Sequence, residues 1–277
     1  MAYDGYTLID VQRDGRLVTA VINNPPINLI TMALFGELAR LAEELEADPA
    51  ALVFVLKSAD PDFFLAHFDV VALIAMADAP APPTEAANAY HEMCHRFRTM
   101  NKVTIAQIEG RVGGGGAELS MNFDMRFGVI GKTVINQMEV PIGILPGGTG
   151  TQNLPRLVGR ARAMEIILSG IDVDAETAER WGWLNRALPA GEIDAHVSAL
   201  AHRIASFPAD AVRLAKQSVD NARLPIAEGC AREAALFQTL LFSDPARHAM
   251  RRFLELGGQT REGELRVAQI SGQVADG

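Results

Sequence analysis

Four consecutive glycines, Gly113–Gly116, constrain the folding of this chain more than any other stretch. An apolar, β-branched run at 103–108 leads into them, and an amphipathic segment that carries Glu118 follows at once. This order predicts a strand, a turn of bare backbone and the start of a helix. Because glycine has no Cβ, a ligand can approach the main chain there and meet the free amide N–H groups of the helix start. Such donors suit a phosphate, or a carbonyl oxygen that becomes negative during a reaction, and the alternative is a flexible turn.

The composition argues against several classes of protein. The chain has 277 residues, 49% of them hydrophobic, which is enough for a large core in one domain or in a domain with an appendage. A net charge of −9 without a run of Lys or Arg argues against a nucleic-acid partner. Cys94 and Cys230 stand far apart and outside any Cys-x-x-Cys motif, so we predict neither a disulfide framework nor a metal site. No apolar run reaches about 18 residues and the first residues lack a secretion pattern, so we expect no membrane partner and a cytoplasmic location.

Hydrophobic patterning predicts a mixed α/β chain up to about residue 200 and helices only after it. Before the glycine run we predict strands at 7–13 and 17–23, a helix capped by Thr31, a buried strand at 52–56, an apolar re-entrant loop at 63–69, a mobile surface loop at 75–83 and a helix at 84–100. After the run we predict strands at 127–130 and 133–136, and helices at 161–169 and 174–181. We therefore expect a core with the site at 1–200 and a helical region at 201–277.

Two carboxylates, Glu118 and Glu139, are each tied to a glycine-rich stretch and have apolar neighbours. Taken alone, a glutamate of this kind is more often a solvated surface group than a catalytic one. If both enter one pocket, repulsion between like charges and desolvation push their pKa values apart. One carboxylate then accepts a proton while the other donates one, so the pair is a candidate general acid and base.

Four blocks of sequence, in order, resemble the crotonase, or enoyl-CoA hydratase/isomerase, superfamily. They read Phe-Phe-Leu-Ala-His-Phe-Asp at 63–69, Ile-Glu-Gly-Arg-Val-Gly-Gly-Gly-Gly-Ala-Glu-Leu at 108–119, Gln-Met-Glu at 137–139 with Gly-Ile-Leu-Pro-Gly-Gly-Thr-Gly-Thr-Gln at 143–152, and Asp-Ala-Glu-Thr-Ala-Glu-Arg-Trp-Gly-Trp-Leu-Asn at 174–185. The resemblance spans roughly residues 7–260. It implies an α/β fold, a crotonase-like spiral of ββα units with a helical C-terminal trimerisation region, in a homotrimer or hexamer.

The resemblance also implies the substrate and the roles of individual residues. The substrate would be an acyl-CoA thioester, so coenzyme A is part of the substrate and no separate cofactor is expected. The backbone N–H groups of Phe68 and Gly115 would form an oxyanion hole for the thioester oxygen. Glu118 would assist the water that adds at Cβ, and Glu139 would exchange the proton at Cα. The residues expected to contact the substrate besides these are Leu65, Ala66, His67 and Gly114.

The chain departs from the family pattern around the first amide donor. The usual Ala-Gly-Ala/Ser-Asp reads Ala66-His67-Phe68-Asp69 here, so a histidine replaces a permissive glycine and a bulky ring replaces a small side chain. His67 is a candidate base, or else a residue that lines the pocket and constrains the loop. Three cationic residues lie near the glycine run in sequence, namely Lys102, Arg111 and Arg126. We assign none of them to the coenzyme A phosphates.

The leading hypothesis is an enoyl-CoA hydratase that adds water syn to a trans-2-enoyl-CoA thioester. The alternatives are a double-bond isomerase or another acyl-CoA enzyme of the same fold, and a non-catalytic acyl-CoA-binding homologue. A dehalogenase is disfavoured because the aspartate of that branch would fall at Gly147. Nucleotide hydrolysis is disfavoured because Gly131-Lys132-Thr133 lacks the required glycine five residues earlier, where Arg126 stands.

Overall fold

The computed structural model describes residues 3–78, 82 and 84–274 of the chain. Its strands are β1 Ile9–Asp14, β2 Leu17–Ile22, β3 Val53–Ser58, β4 Phe63–Leu65, β5 Val103–Ile108, β6 Arg111–Gly113, β7 Met125–Val129, β8 Val134–Asn136, β9 Val173–Asp174 and β10 Arg186–Leu188. Its α-helices are α1 Met32–Ala47, α2 Val70–Ala77, α3 Ala89–Thr99, α4 Gly114–Ser120, α5 Gly150–Val158, α6 Arg160–Ser169, α7 Ala175–Trp181, α8 Ile193–Ser206, α9 Ala209–Asp220, α10 Ile226–Leu241, α11 Asp244–Glu255, α12 Arg261–Glu264 and α13 Val267–Gln273. Short 3₁₀ helices cover Val140–Ile142 and Asn221–Arg223.

The strands form two sheets, and the chain contributes to them alternately. One sheet has the order β1-β2-β3-β5-β7-β10, and the other has the order β4-β6-β8-β9. The strand pairs β3 and β4, β5 and β6, and β7 and β8 each place one strand in each sheet, and a helix follows every pair. The neighbours β5 and β7 are parallel, as are β4, β6 and β8. The chain is therefore built from successive ββα units, as predicted.

Local sequence signals explain the first elements. β1 and β2 are antiparallel and pair Asp14 with Leu17 across the tight Asp-Gly turn, which confirms the predicted hairpin. The Thr31 side chain accepts a hydrogen bond from the Leu34 N–H and caps α1, as expected. α1 buries one stripe of side chains at helical spacing, namely Leu34, Leu38, Leu41, Ala42 and Leu45. These apolar residues belong to one hydrophobic core with buried residues of β2 and β3.

The glycine run differs from its prediction, because it is not a turn. Gly113 ends β6, a strand that the sequence did not indicate, and the next three glycines form the first turn of α4. A Cβ added at Gly116 would lie 2.5 Å from the Cβ of Leu65. The bare backbone therefore serves close packing of α4 against β4, where a side chain would force the two elements apart.

The structure differs from the sequence prediction in other elements as well. α3 begins at Ala89 and not at 84, because the side chain of Asn88 caps it in a capping box with His91. The segment 63–69 forms the strand β4 before its loop, and α5 was not predicted. In the predicted loop 75–83, α2 extends to Ala77, while residues 79–81 and 83 lie outside the described residues.

The chain divides into two compact units. The first comprises residues 1–100 and 104–198, and the second comprises residues 101–103 and 199–277. Within the second unit, prolines stand where helices begin: Pro208 and Pro225 cap α9 and α10, and Pro245 lies in the first turn of α11. Among the residues that the structure describes, no helix combines the length and the hydropathy needed to cross a membrane.

Candidate active site

A cavity of about 430 Å³ in the first unit brings the predicted catalytic residues together. The residues of the prediction that line it are His67, Phe68, Gly115, Glu118 and Glu139. They come from the loop after β4, from α4 and from the segment between β8 and the first 3₁₀ helix. The cavity therefore combines the two carboxylates and the two amide-bearing residues in one site.

Glu118 is held in place by backbone amides. It lies on α4 with only 4% of its surface exposed, and its Oε1 accepts hydrogen bonds from the N–H groups of Gly148 at 2.8 Å and Gly150 at 2.7 Å. Burial raises the pKa of Glu118, and the two amide hydrogen bonds act against that rise by favouring the anion. A Cβ at Gly148 would lie 2.8 Å from Oε2, so this loop reaches the carboxylate only because residue 148 is glycine. Glu118 is thus an oriented carboxylate with one oxygen engaged.

Glu139 has different surroundings. It immediately precedes the 3₁₀ helix Val140–Ile142, only 7% of its surface is exposed, and its Oε2 is buried with no hydrogen-bond partner among the described residues. Burial, together with the nearby charge of Glu118, raises the pKa of Glu139 to about 7. This carboxyl group can therefore carry or release a proton near neutral pH.

The backbone nitrogen of Phe68 lies close to Gly115. Ile30 forms backbone hydrogen bonds with the residues on either side of Phe68. The Ile30 N–H donates to the His67 carbonyl, and the Ile30 carbonyl accepts from the Asp69 N–H. Among the described residues, no acceptor binds the Phe68 N–H itself. A Cβ added at Gly115 would be 3.5 Å from the Phe68 nitrogen, so the two residues are adjacent. This amide is available to a ligand in the cavity.

The second amide belongs to the first turn of α4. N–H groups in the first turn of a helix have no intrahelical acceptor. Gly113 is the cap residue and has no side chain that could supply one. The positive end of the helix dipole adds to the effect. Two amide donors on adjacent segments, Phe68 and Gly115, can therefore stabilise an oxygen that gains negative charge between them.

The remaining predicted residues lie around this centre. His67 lines the cavity, and its Nδ1 is 2.9 Å from the carbonyl oxygen of Phe68, so Nδ1 carries the proton in this hydrogen bond. Ala66 lines a second cavity of about 270 Å³, which His67 also borders. Gly114 has φ +44°, and a Cβ there would be 3.0 Å from Glu139 Oε1. Leu65 is fully buried against α4 and lines neither of these two cavities.

Tyr90 is a site residue that the sequence analysis missed. From α3, its hydroxyl donates a hydrogen bond of 2.6 Å to the Gly115 carbonyl, and its ring stacks on Phe35 and meets Phe68 edge-on. Burial raises the Tyr90 pKa, and the nearby carboxyl groups of Glu118 and Glu139 raise it further, so the hydroxyl remains a donor. The only signal in the sequence was a hydroxylated ring in the apolar stripe that continues with Cys94 and Phe97, a stripe that normally indicates core packing.

The two arginines near the glycine run have different environments. Arg126 is buried, and its guanidinium donates to the carbonyls of Ser120, Phe123 and Trp183. Arg111 borders the second cavity and pairs with Asp172. No cluster of three or more His, Cys, Asp or Glu side chains that could hold a metal ion occurs in the described part of the chain.

Comparisons with known proteins agree with this architecture. A family profile described as enoyl-CoA hydratase/isomerase matches residues 14–261. The Mycobacterium bovis protein named "Probable enoyl-CoA hydratase echA8" is 30% identical over 252 residues, which cover 90% of this chain and 96% of that one. A Streptomyces avermitilis structure, solved as a candidate enoyl-CoA hydratase, is 38% identical with a TM-score of 0.71 and 92% coverage of both chains. An enoyl-CoA hydratase structure from Geobacillus kaustophilus is 25% identical with a TM-score of 0.84, covering 91% of this chain and 95% of that one. The predicted crotonase-like fold is confirmed.

Proposed function

Because the chain belongs to the enoyl-CoA hydratase/isomerase family, we propose that it adds water to a trans-2-enoyl-CoA thioester. One observation carries this proposal: two buried glutamates with unlike surroundings line the same cavity as two free amide donors. A carboxylate held by amides and a carboxyl group with a pKa of about 7 suit the two proton transfers that hydration requires. We also propose that the protein forms a homotrimer or hexamer and that it acts in the cytoplasm.

The amide pair supplies the electrostatic part of the reaction. Attack at Cβ of an unsaturated thioester moves electrons onto the carbonyl oxygen, which becomes enolate-like. The N–H groups of Phe68 and Gly115 would donate to that oxygen. By comparison with other oxyanion holes, each donor is worth roughly 2.7–4 kcal/mol in the transition state.

The glutamates would divide the proton transfers between them. The free Oε2 of Glu118 takes a proton from water while the water oxygen bonds to Cβ. The protonated Glu139 delivers its proton to Cα, on the same face for a syn addition. One C–O bond and one C–H bond form at the expense of the double bond. Proton exchange between the carboxyl groups and solvent restores the starting state.

The second cavity is the proposed place for part of the coenzyme A moiety. It adjoins the catalytic cavity through His67, and its lining includes Ala66 and the cationic Arg111. The pairing of Arg111 with Asp172 leaves donors of the guanidinium free to meet an anionic group. Arg111→Ala should therefore weaken binding of acyl-CoA more than binding of the matching acyl-pantetheine.

A double-bond isomerase is the second candidate, and the state of Glu139 favours it. Moving a double bond needs only one base that shuttles a proton, and a carboxyl group with a pKa of about 7 and an unpartnered oxygen meets that need. Glu118 would then only orient the site. The isomerase and hydratase products differ by the mass of one water.

The decisive experiment supplies the purified chain with trans-2-enoyl-CoA and, separately, with 3-enoyl-CoA thioesters. Hydration removes the absorbance of the conjugated thioester and adds 18 Da from water, whereas isomerisation of the 3-enoyl substrate creates that absorbance without a change of mass. Binding of several acyl-CoA thioesters with no turnover of any would identify a non-catalytic homologue. Full hydratase activity in both Glu118→Gln and Glu139→Gln would overturn the proposed mechanism.

A further inference from the structure

Helix α2 is apolar throughout, yet none of its residues is buried. It reads Val-Val-Ala-Leu-Ile-Ala-Met-Ala over Val70–Ala77, and the side chain of Asp69 caps its start by accepting from the Val71 N–H. An exposed helix of a folded domain usually carries polar side chains on its outer face. A contiguous exposed apolar surface of this kind indicates a ligand or partner that covers it.

The two faces of α2 have different neighbours. Val70, Leu73 and Met76 recur at a spacing of three residues and line the cavity that holds the glutamates. Val71 and Ile74 lie on the other face, where they are 73% and 60% exposed and do not line the cavity. The helix therefore presents one apolar stripe to the interior of the site.

The wall outside the catalytic centre is also apolar. Ile142, Ile144 and Leu145 follow Glu139 in the chain, line the same cavity and are about half exposed. Met32, at the start of α1, contributes a further exposed apolar side chain to the lining. Apolar lining thus continues from the carboxylates to the protein surface.

The cavity lining offers little positive charge to an acyl group. Among the lining residues in the described part of the chain, which omits 79–81 and 83 just beyond α2, none is Lys or Arg, Glu118 and Glu139 are acidic, and His67 lies at the catalytic end beside Gly114. A carboxylate at the far end of an acyl group would find no positive partner and would lose its hydration. The volume of about 430 Å³ lies within the range of about 300–1,000 Å³ that encloses drug-sized ligands, far more than a four-carbon acyl group needs.

We propose that the enzyme selects uncharged, extended acyl chains well beyond four carbons, and that the distal methylenes lie between the stripe Val70, Leu73 and Met76 of α2 and the segment 142–145. The inference rests on the proposed function, since it takes the occupant to be the acyl part of a thioester. Beyond that function, the inference specifies the length and the charge of the acyl group and the residues that select for them.

Binding of saturated acyl-CoA thioesters tests this without depending on hydration, because these ligands cannot react with water. Calorimetry with butanoyl-, hexanoyl-, octanoyl- and decanoyl-CoA should show affinity rising by up to about fourfold per methylene, and by at least tenfold across the series. The ω-carboxylate analogue of the decanoyl ligand should bind at least tenfold more weakly than decanoyl-CoA. Equal affinities for the short and long ligands, or for the neutral and charged ones, would show that the proposal is wrong.

An aryl ligand separates two shapes of apolar substrate. Phe35, Phe68 and Tyr90 line the cavity near the catalytic centre and could favour a ring. If 3-phenylpropanoyl-CoA binds more tightly than decanoyl-CoA, the occupant is a compact aryl group and the extended chain is wrong. Weaker binding of the aryl ligand supports the extended chain.

A lysine introduced on α2, with a matched control on the same helix, tests where the acyl chain lies. Leu73→Lys should weaken decanoyl-CoA binding by at least tenfold, leave butanoyl-CoA binding unchanged and tighten binding of the ω-carboxylate ligand. The gain for the charged ligand shows that the variant is folded. Ile74→Lys places the same charge one residue away on the outer face and should change none of the three affinities. Equal behaviour of the two variants would place the acyl chain elsewhere.

These measurements separate failure of the inference from failure of the proposed function. An enzyme that hydrates only short enoyl thioesters and shows no chain-length dependence of binding keeps the function and loses the inference. A chain that binds long saturated thioesters but turns over none of the enoyl panel keeps the inference and loses the function.

Discussion

Glu118 and Glu139 are the same residue type in one cavity, but their surroundings give them different chemistry. The α4 side of the site fixes Glu118 with two amide hydrogen bonds to a single oxygen. The loop that carries Glu139 buries one oxygen without a partner, and burial together with the Glu118 charge raises its pKa to about 7. Hydrogen bonding therefore makes one glutamate an oriented acceptor, while desolvation makes the other a group that titrates near neutrality.

The largest expected effect is on the exchange of the substrate Cα proton with solvent, which distinguishes the role of Glu139 from that of Glu118. In deuterium oxide, the enzyme should exchange the Cα proton of a bound saturated acyl-CoA, because Glu139 can remove and return it next to the amide pair. Glu139→Gln should slow this exchange by about 10²–10⁴-fold, the usual contribution of a general base. NMR of the recovered thioester measures it.

Glu118→Gln is the control for that comparison. Its amide oxygen can still accept from the Gly148 and Gly150 N–H groups, so the site keeps its shape. This variant should retain most of the Cα exchange and lose hydration. Loss of exchange in Glu118→Gln with retention in Glu139→Gln would reverse the assignment of the two residues.

The difference also predicts how stability depends on pH. The folded-state pKa of Glu139 lies above its ordinary value of 4.5, so the folded protein binds this proton more tightly than the unfolded chain. Stability from this group is therefore complete below about pH 4.5 and is lost as the pH rises through about 7, by about 3 kcal/mol in total. Denaturant unfolding at pH 5 and pH 8 should show this loss.

Glu139→Gln should remove most of this pH dependence, because glutamine does not titrate. Glu118→Gln should reduce it and not abolish it, since burial is the larger cause of the raised pKa and the Glu118 charge is the second. An unchanged slope in Glu139→Gln would mean that another group titrates in this range.

The hydrogen-bonded position of Glu118 can be disturbed by substituting Gly148. In Gly148→Ala, the new Cβ would lie 2.7 Å from two ring carbons of Tyr90 and 2.8 Å from Glu118 Oε2, so the carboxylate must move. We expect kcat to fall by roughly 10- to 100-fold, because small displacements of a catalytic group are costly. Gly147→Ala is the neighbouring control, since its Cβ would meet only the Leu145 carbonyl at 3.7 Å, and it should stay within about twofold of wild type.

The smallest effect concerns the support of the amide pair. Tyr90→Phe removes the hydrogen bond to the Gly115 carbonyl, a loss of about 1 kcal/mol or roughly fivefold in kcat, with KM unchanged. Isotope-edited infrared spectroscopy should show a bound thioester carbonyl that is less polarised. Tyr3→Phe also loses a tyrosine hydrogen bond, to Asp48, and should change stability without changing kcat. Similar kcat values for Tyr90→Phe and wild type would leave Tyr90 a packing residue.

The parts of the site that sequence could predict are those with a local signature. The cap Thr31 is followed by an apolar stripe, and the glutamates stand beside glycine-rich stretches, so short-range patterns identify them. α5 lacks such a signature: its first residue follows Thr149 at φ 104°, which makes no side-chain cap, and Pro155 lies inside it. The Tyr90 hydrogen bond joins residues 25 positions apart, and no local pattern encodes such a meeting.

The exposure of α2 has a consequence for how this protein can change over evolution or by design. Substitutions at exposed positions usually alter folding free energy by no more than about 0.5 kcal/mol, whereas α4, which carries Glu118, is buried along its whole length. Residues that would contact the acyl group can therefore vary with little loss of folding free energy, while the residues that would perform proton transfer cannot. We therefore expect new substrate ranges from substitutions at the three lining positions of α2, Val70, Leu73 and Met76, with the reaction itself left intact.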